Sequence, residues 1–212
     1  MKLYLIRHGE TLWNRARIFQ GKQDSPLTDI GIAQAIALGE YLREEKIKID
    51  KVFSSPLGRA YNTAKLVFSD KEIISDWNIA EMAFGNWEGK DIEHLKVFEK
   101  DNYYNFFHKA HLYDSKPHKG ESFEEVERRV EEFLNYLIEN YRNETLVVVS
   151  HGLLLKVLLK HIKKDSIENF WNTEVFNNTS LSLISYDDKW KIEFISETKH
   201  LSDELQTSWV PR

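Results

Sequence analysis

Cysteine is absent from all 212 residues. That absence excludes a disulfide framework, a thiolate nucleophile and a cysteine-type zinc site. A basic excess is missing too, since 29 Lys and Arg stand against 34 Asp and Glu for a formal net charge of -5. Lys163-Lys164 is too short a run to alter that balance, so no nucleic-acid partner is expected. No apolar run approaches the roughly 20 residues a membrane-spanning helix needs. The apolar stretch from Met1 to Ile6 begins too early to follow the basic region of a secretory leader. The expectation is therefore a cytoplasmic protein without membrane contact. Repeats, linkers and low-complexity stretches are also lacking, and 42% hydrophobic content suits one sizeable core, so residues 1–212 are read as a single domain.

What is present is an alternation of strand and helix. After a strand from Lys2 to Ile6, a polar loop runs from Arg7 to Ser25. Thr28 then stands as N-cap before an amphipathic run from Asp29 to Glu45. Lys51 to Ser54 reads as a buried strand, and Ser55 as N-cap with Pro56 at the first helical position opens a helix through Phe68. A short strand near Ile73-Ile74 precedes the glycine-punctuated loop from Trp77 to Lys90. Ser122 and Glu125 form a capping box, after which Phe123, Val126, Val130, Phe133, Leu134 and Leu137 recur at helical spacing up to Tyr141. Thr145 to Val149 is apolar without alternation, the pattern of a strand buried on both faces. A second buried helix, Leu153 to Ile162, follows, and Leu181 to Tyr186 with Trp190 to Ile195 reads as a hairpin turning at Asp187-Asp188-Lys189. Such an order gives a mostly parallel sheet with helices on both faces, and ligands in such sheets bind beyond the strand carboxyl ends. Both Arg7-His8 and Ser150-His151 fall at such ends.

Four segments then stand out in order: Arg7-His8-Gly9-Glu10-Thr11; Ser54-Ser55-Pro56-Leu57-Gly58-Arg59; Glu81 before Phe84-Gly85-Asn86-Trp87-Glu88-Gly89; and Ser150-His151-Gly152. Together they resemble the histidine phosphatase superfamily, also called the phosphoglycerate mutase-like family, along nearly the whole chain. The resemblance implies an α/β fold, a three-layer α/β/α sandwich with a mostly parallel, mixed sheet. It also implies a small helical insertion over the pocket, for which 91–120 is the natural candidate.

The implied chemistry suits the residue types. Phosphate monoesters resist hydrolysis because anionic nucleophiles are repelled and the alkoxide leaves poorly. A neutral imidazole avoids the repulsion, so His8 is the expected nucleophile, forming a phosphohistidine that water then hydrolyses. Arg7 and Arg59 offer planar donor forks to the phosphoryl oxygens, and His151, if protonated, adds a further donor and charge. Asn14, Gln20, Gly21 and the backbone N–H of Gly152, at a helix N-terminus, complete the expected phosphate cradle. Glu81 is carried over as general acid and then base, with Glu88 and Glu93 nearby as rivals that spacing alone does not eliminate. No metal and no cofactor are expected; His108 and His111 invite a zinc reading but lack an evident third ligand. His161 fits a helix C-terminus better than catalysis.

These features lead to a metal-independent phosphomonoesterase, acting as a histidine acid-type phosphatase on a small phosphorylated metabolite, as monomer or homodimer. Two alternatives remain, a cofactor-dependent phosphoglycerate mutase and a non-catalytic phosphate-sensing module. Mutases of the resembled family place Arg and Tyr beside the acid, whereas here the stretch is Asn78-Ile79-Ala80-Glu81-Met82-Ala83-Phe84-Gly85. The run Tyr103-Tyr104-Asn105-Phe106-Phe107 is read as core, with pocket wall or dimer contact as the other reading. A pocket role for it implies a bulky or apolar leaving group.

Overall fold

A computed structural model of the chain describes residues 1–207. In chain order the elements are β1 (Lys2–Arg7), α1 (Leu12–Ala16), α2 (Asp29–Glu44), β2 (Lys51–Ser54), α3 (Gly58–Val67), β3 (Ile73–Ser75), α4 (Ile92–Phe98) and α5 (Lys100–His108). They continue with α6 (Phe123–Tyr141), β4 (Thr145–Ser150), α7 (Gly152–Lys163), β5 (Leu181–Asp187) and β6 (Lys189–Glu197). The six strands form one mixed sheet in the order β3-β2-β4-β1-β5-β6. Its first four strands are parallel, while β5 and β6 run antiparallel.

Side-chain alternation divides the core into two layers. Leu3 and Leu5 of β1 with Leu146 and Val148 of β4 face the side covered by α6 and α7. Tyr4 and Ile6 with Val147 and Val149 face the opposite side, where Ala35, Leu38 and Leu42 of α2 and Ala60 and Ala64 of α3 pack. Both faces are thus dry, which is why these strands read as continuous apolar runs. No helix among the described residues is long and apolar enough to cross a membrane.

Register places the chemistry. Arg7 of β1 pairs with Ser150 of β4, and the His8 N–H donates to the Ser150 carbonyl at 2.9 Å. The two histidines therefore leave neighbouring parallel strands side by side.

Several local expectations are met and two are revised. Thr28 and Ser122 cap α2 and α6 through their side chains, the latter with the full Ser122–Glu125 box. Within the expected loop 7–25, however, Thr11 caps a five-residue helix and forms a reciprocal box with Asn14. Asn14 scarcely signals a helix by propensity, so this turn is set by capping and burial rather than by pattern. The second revision concerns α3, which begins at Gly58; Leu57 precedes it without a side-chain cap. The Ser55 hydroxyl accepts the Leu57 N–H at 3.3 Å and is also engaged with His151.

Segment 91–120 forms α4, α5 and two short 3₁₀ turns. Tyr103, Phe106 and Phe107 are buried while Tyr104 is half exposed. Phe106 packs edge-on against Phe84 and stacks with Phe123, so the segment joins the main core on that side of the sheet. Each such aromatic pair adds about 0.5–1.5 kcal/mol beyond area burial.

Candidate active site

Arg7, His8, Asn14, Gln20, Gly21, Arg59, Glu81 and Gly152 all line one pocket at the carboxyl ends of β1 and β4. His151 stands directly behind His8, with ring centroids 5.2 Å apart. Every residue expected to bind or transfer phosphate is therefore brought to one place.

His8 is fixed by its own backbone. Nδ1 lies 2.7 Å from the Gly9 carbonyl oxygen, which only accepts, so the neutral ring carries its proton there and leaves the Nε2 lone pair free. Asn178 Nδ2 holds the His8 carbonyl at 3.0 Å, and the Gly9 N–H donates to Thr63 Oγ1. Burial, then the charges of Arg59 and Arg7, push the His8 pKa well below its ordinary 6.5. The same forces act on His151: burial first, then Arg59 and His8. Both imidazoles are thus neutral at physiological pH.

Arg7 and Arg59 are buried with few anionic partners. Arg7 Nη1 donates to the Phe176 carbonyl at 2.6 Å. Arg59 Nη2 donates to the Gly21 carbonyl, and Nη1 to the Gln23 carbonyl and to Asp24 Oδ1 at 3.0 Å. Burial lowers the Arg7 pKa to about 10 even though the Glu81 carboxylate opposes that effect. Arg7 Nε, Arg59 Nε and His151 Nδ1 have no protein partner among the described residues. Buried donors left unpaired in this way are costly, by about 1–3 kcal/mol each, and an anion seated among them removes that cost.

Two glycines make the cradle possible. A Cβ on Gly152 would approach Arg7 Nε to 3.3 Å, so a side chain at the start of α7 would press on the guanidinium. Gly21 has φ +54°, and a Cβ there would meet Glu88 Oε1 at 2.2 Å. Gln20 donates through Nε2 to Thr11 Oγ1 while its Oε1 is unpartnered, and Asn14 Oδ1 accepts from the Thr11 N–H.

The three candidate carboxylates separate clearly. Glu81 lines the pocket; its Oε1 accepts from the Leu154 and Met82 N–H groups at 3.1 and 3.0 Å, and Oε2 from Leu153 at 3.4 Å. It thereby sits against the first turn of α7, its carboxyl oxygens positioned by backbone amides of that turn. Glu88 is consumed by loop backbone, accepting from the N–H groups of Lys22, Gln23 and Phe84. Glu93 is an exposed partner of Lys96. Behind Glu81, Arg129 of α6 donates to the carbonyls of Asn78, Ala80 and Glu81 and pairs with Glu121.

Ser55, Asn178, Arg129 and the buried Lys156 were not singled out by sequence. Asn178 had a faint signal, since Asn177-Asn178-Thr179-Ser180 is a polar run just before a buried strand. Phe106 and Phe107 line the pocket, together with Phe84, Trp171 and Phe176, as well as the core, so the run serves as core and as pocket wall. His108 and His111 are exposed, and His161 faces Glu127. Among the described residues no three His, Asp or Glu side chains are grouped to hold a metal ion.

Residues 3–198 match the family described as the histidine phosphatase superfamily (branch 1). A relative from Yersinia pestis (strain Pestoides F), "Probable phosphoglycerate mutase GpmB", is 33% identical over 97% of this chain and 99% of its own. Among solved structures, Bacillus stearothermophilus YhfR superposes with TM-score 0.89 at 33% identity, covering 94% of this chain and 98% of that one. Phosphoserine phosphatase from Entamoeba histolytica, in complex with 3-phosphoglyceric acid, superposes with TM-score 0.83 at 30% identity, covering 95% and 99%.

Proposed function

The chain belongs to the histidine phosphatase superfamily, and from that premise we propose that it is a metal-independent phosphomonoesterase working through a phosphohistidine on His8. One observation carries the reading: His8, its proton held at Nδ1 by Gly9, stands beside His151 in a pocket lined by the buried Arg7 and Arg59. The Nε2 lone pair attacks phosphorus, the N–P bond forms and the P–O bond to the leaving group breaks. Glu81 gives that oxygen a proton, then takes one from the water that attacks phosphorus and releases His8 and phosphate. Arg7, Arg59 and His151 Nδ1–H hold the equatorial oxygens, where charge concentrates in the transition state. Asn14, Gln20, Gly21 and Gly152 complete the cradle. Segment 91–120 walls the leaving-group end through Phe106 and Phe107.

The mutase relative supports a second reading, since its match covers nearly the whole chain. A mutase must return its phosphoryl group to a second hydroxyl and needs cations for a doubly phosphorylated intermediate. Here the far side of the pocket is mainly aromatic and aliphatic, which favours the phosphatase. The test is rapid-quench trapping of phosphoenzyme alongside phosphate release from p-nitrophenyl phosphate. An acid-labile, alkali-stable label lost in His8→Ala is the expected result. A label that persists in His8→Ala, or turnover only with 2,3-bisphosphoglycerate and 3-phosphoglycerate, overturns it.

A further inference from the structure

The leaving-group end of the pocket holds one cation that the mechanism does not use. Lys156 lies one helical turn beyond Gly152 on α7 and lines the same pocket as Ile18, Phe107, Leu153 and Trp171, yet it is only 6% exposed. Its ammonium donates to the carbonyls of Thr173 and Glu174 at 3.1 and 3.0 Å. It sits 5.3 Å from the Trp171 ring centroid and 5.6 Å from that of Phe170. Two of its three protons are therefore bonded, and no carboxylate pairs with it among the described residues; the Glu174 side chain is bound to Lys163 instead. A buried ammonium bonded directly to carbonyls and ring faces, with the nearby Glu174 carboxylate offsetting only part of its burial, keeps an undercompensated charge, which proteins rarely retain without a partner.

Resting on the phosphatase reading above, we propose that Lys156 is the specificity-determining residue of the leaving-group end, and that it selects phosphate esters whose leaving group carries a carboxylate. One spare proton on a compact ammonium suits a singly charged carboxylate oxygen. A second phosphate would call for the planar fork of an arginine or for several donors, and the aromatic and aliphatic wall offers neither. Placement on α7 sets the spacing. A helix rises 1.5 Å per residue, so the four residues from Gly152 to Lys156 put the ammonium's root about 6 Å along the axis from the phosphate-binding helix start. The substrate class is a small phosphomonoester with its phosphate at Arg7 and Arg59 and its carboxylate at Lys156. Burial also lowers the Lys156 pKa to about 8, and an anion seated beside it reverses part of that cost.

A structural role is the rival, because Lys156 also pins the chain at Thr173 and Glu174, just ahead of the Phe176 carbonyl that Arg7 holds. Matched ester pairs separate the two. 3-Phosphoglycerate and glycerol 3-phosphate differ by carboxylate against hydroxymethyl, and 4-carboxyphenyl phosphate and phenyl phosphate differ by the carboxylate alone. Wild type, Lys156→Met and Lys156→Arg are compared for kcat and KM on all four, with calorimetric binding of 3-phosphoglycerate and glycerol 3-phosphate as a readout that needs no turnover. Lys156→Met is expected to raise KM at least tenfold for the carboxylate member of at least one pair while its partner changes less than threefold. Lys156→Arg is expected to restore most of the preference. Equal losses on both members of each pair, or no loss on either, overturn the proposal in favour of a staple or a bystander. Wild type that hydrolyses neither p-nitrophenyl phosphate nor any of the four esters defeats the phosphatase reading. In that event, selective loss of 3-phosphoglycerate binding in Lys156→Met still supports carboxylate recognition, and its absence rejects it.

Discussion

Ser55 Oγ lies 2.7 Å from Nε2 of His151 while accepting the Leu57 N–H at 3.3 Å. The Leu57 contact occupies one of the hydroxyl's two lone pairs; with the hydroxyl proton given to His151 Nε2, the imidazole proton sits on Nδ1, which has no protein partner among the described residues. In that arrangement Ser55 holds the tautomer that offers a donor to the proposed phosphate site.

Removing that hydroxyl is expected to cost about 10- to 100-fold in kcat/KM, the range typical of partners that orient a ligating histidine. Ser55→Ala should show this with an unchanged fold by circular dichroism, and nitrogen NMR should report a mixed His151 tautomer. Unaltered kinetics in Ser55→Ala would separate the hydroxyl from catalysis.

Acidification acts through the two depressed histidines. Their pKa values lie well below 6.5 in the folded protein and near 6.5 unfolded, so between those values the unfolded chain binds more protons. Stability is then complete above about pH 6.5 and falls as pH drops toward the folded values. His118 and His200, also depressed by burial, add to the same slope. Thermal melts from pH 7.5 to 4.5 should show Tm falling only below about pH 6.5. Replacing His8 with Gln should flatten part of that decline. Single-turnover phosphorylation should keep its rate below pH 6.5, because the nucleophile is still neutral there; a rate that halves at 6.5 contradicts the assignment.

Glu81→Gln and Glu88→Gln should behave differently. Glu81 touches the pocket, so its loss should slow phosphoenzyme formation far more from an alkyl ester than from p-nitrophenyl phosphate, whose leaving group needs little protonation. The expected gap is about 10²-fold or more, the usual worth of a general acid. Glu88 holds three loop amides instead, so Glu88→Gln should slow both esters alike and lower Tm. Equal slowing of both esters by Glu81→Gln would remove it as the acid.

Arg129 holds the carbonyls on either side of that acid. Arg129→Met takes a donor from three carbonyls and from Glu121, which keeps the Ala83 N–H and Lys22, and is expected to lower kcat while leaving KM within about threefold, because the phosphate-binding groups are untouched. A rise in KM with unchanged kcat would show that it acts on binding instead.

Catalytic turnover in excess chelator, and inhibition by vanadate well beyond that by phosphate, are expected from a site that neutralises charge with arginines and favours a trigonal bipyramid. Activity restored only by added Mg²⁺ or Zn²⁺ would contradict it.

Much of this was legible in the sequence because chemistry and pattern coincide there. Strands buried on both faces announce themselves as apolar runs, and histidines closing two of them point to the sheet's functional edge. The capping residues Thr28 and Ser122 mark their helices for the same local reason. A serine before Pro-Leu-Gly reads as a helix cap, and its hydroxyl does accept the Leu57 N–H, but its second partner, a histidine 96 residues away, is invisible to local pattern. Lys156 was hidden because α7 reads as an ordinary buried helix, and one lysine in such a pattern suggests an exposed edge. The choice between Glu81 and Glu88 also lay beyond the sequence, since it depends on which carboxylate the loop amides of Lys22 and Gln23 have already taken.

The strand order carries a consequence for synthesis. β1 is flanked by β4 and β5, and β2 meets β1 nowhere in the sheet. A chain growing from its N-terminus therefore carries the His8 strand with both edges unpaired until Thr145–Ser150 has left the ribosome. Such exposed apolar edges invite chaperones and aggregation. Nascent chains arrested before residue 145 should be protease-sensitive throughout β1, and those arrested well past β5 should not. His8 would then acquire its neighbour His151 in the same event that first buries its strand, so a half-made chain carries no half-made site.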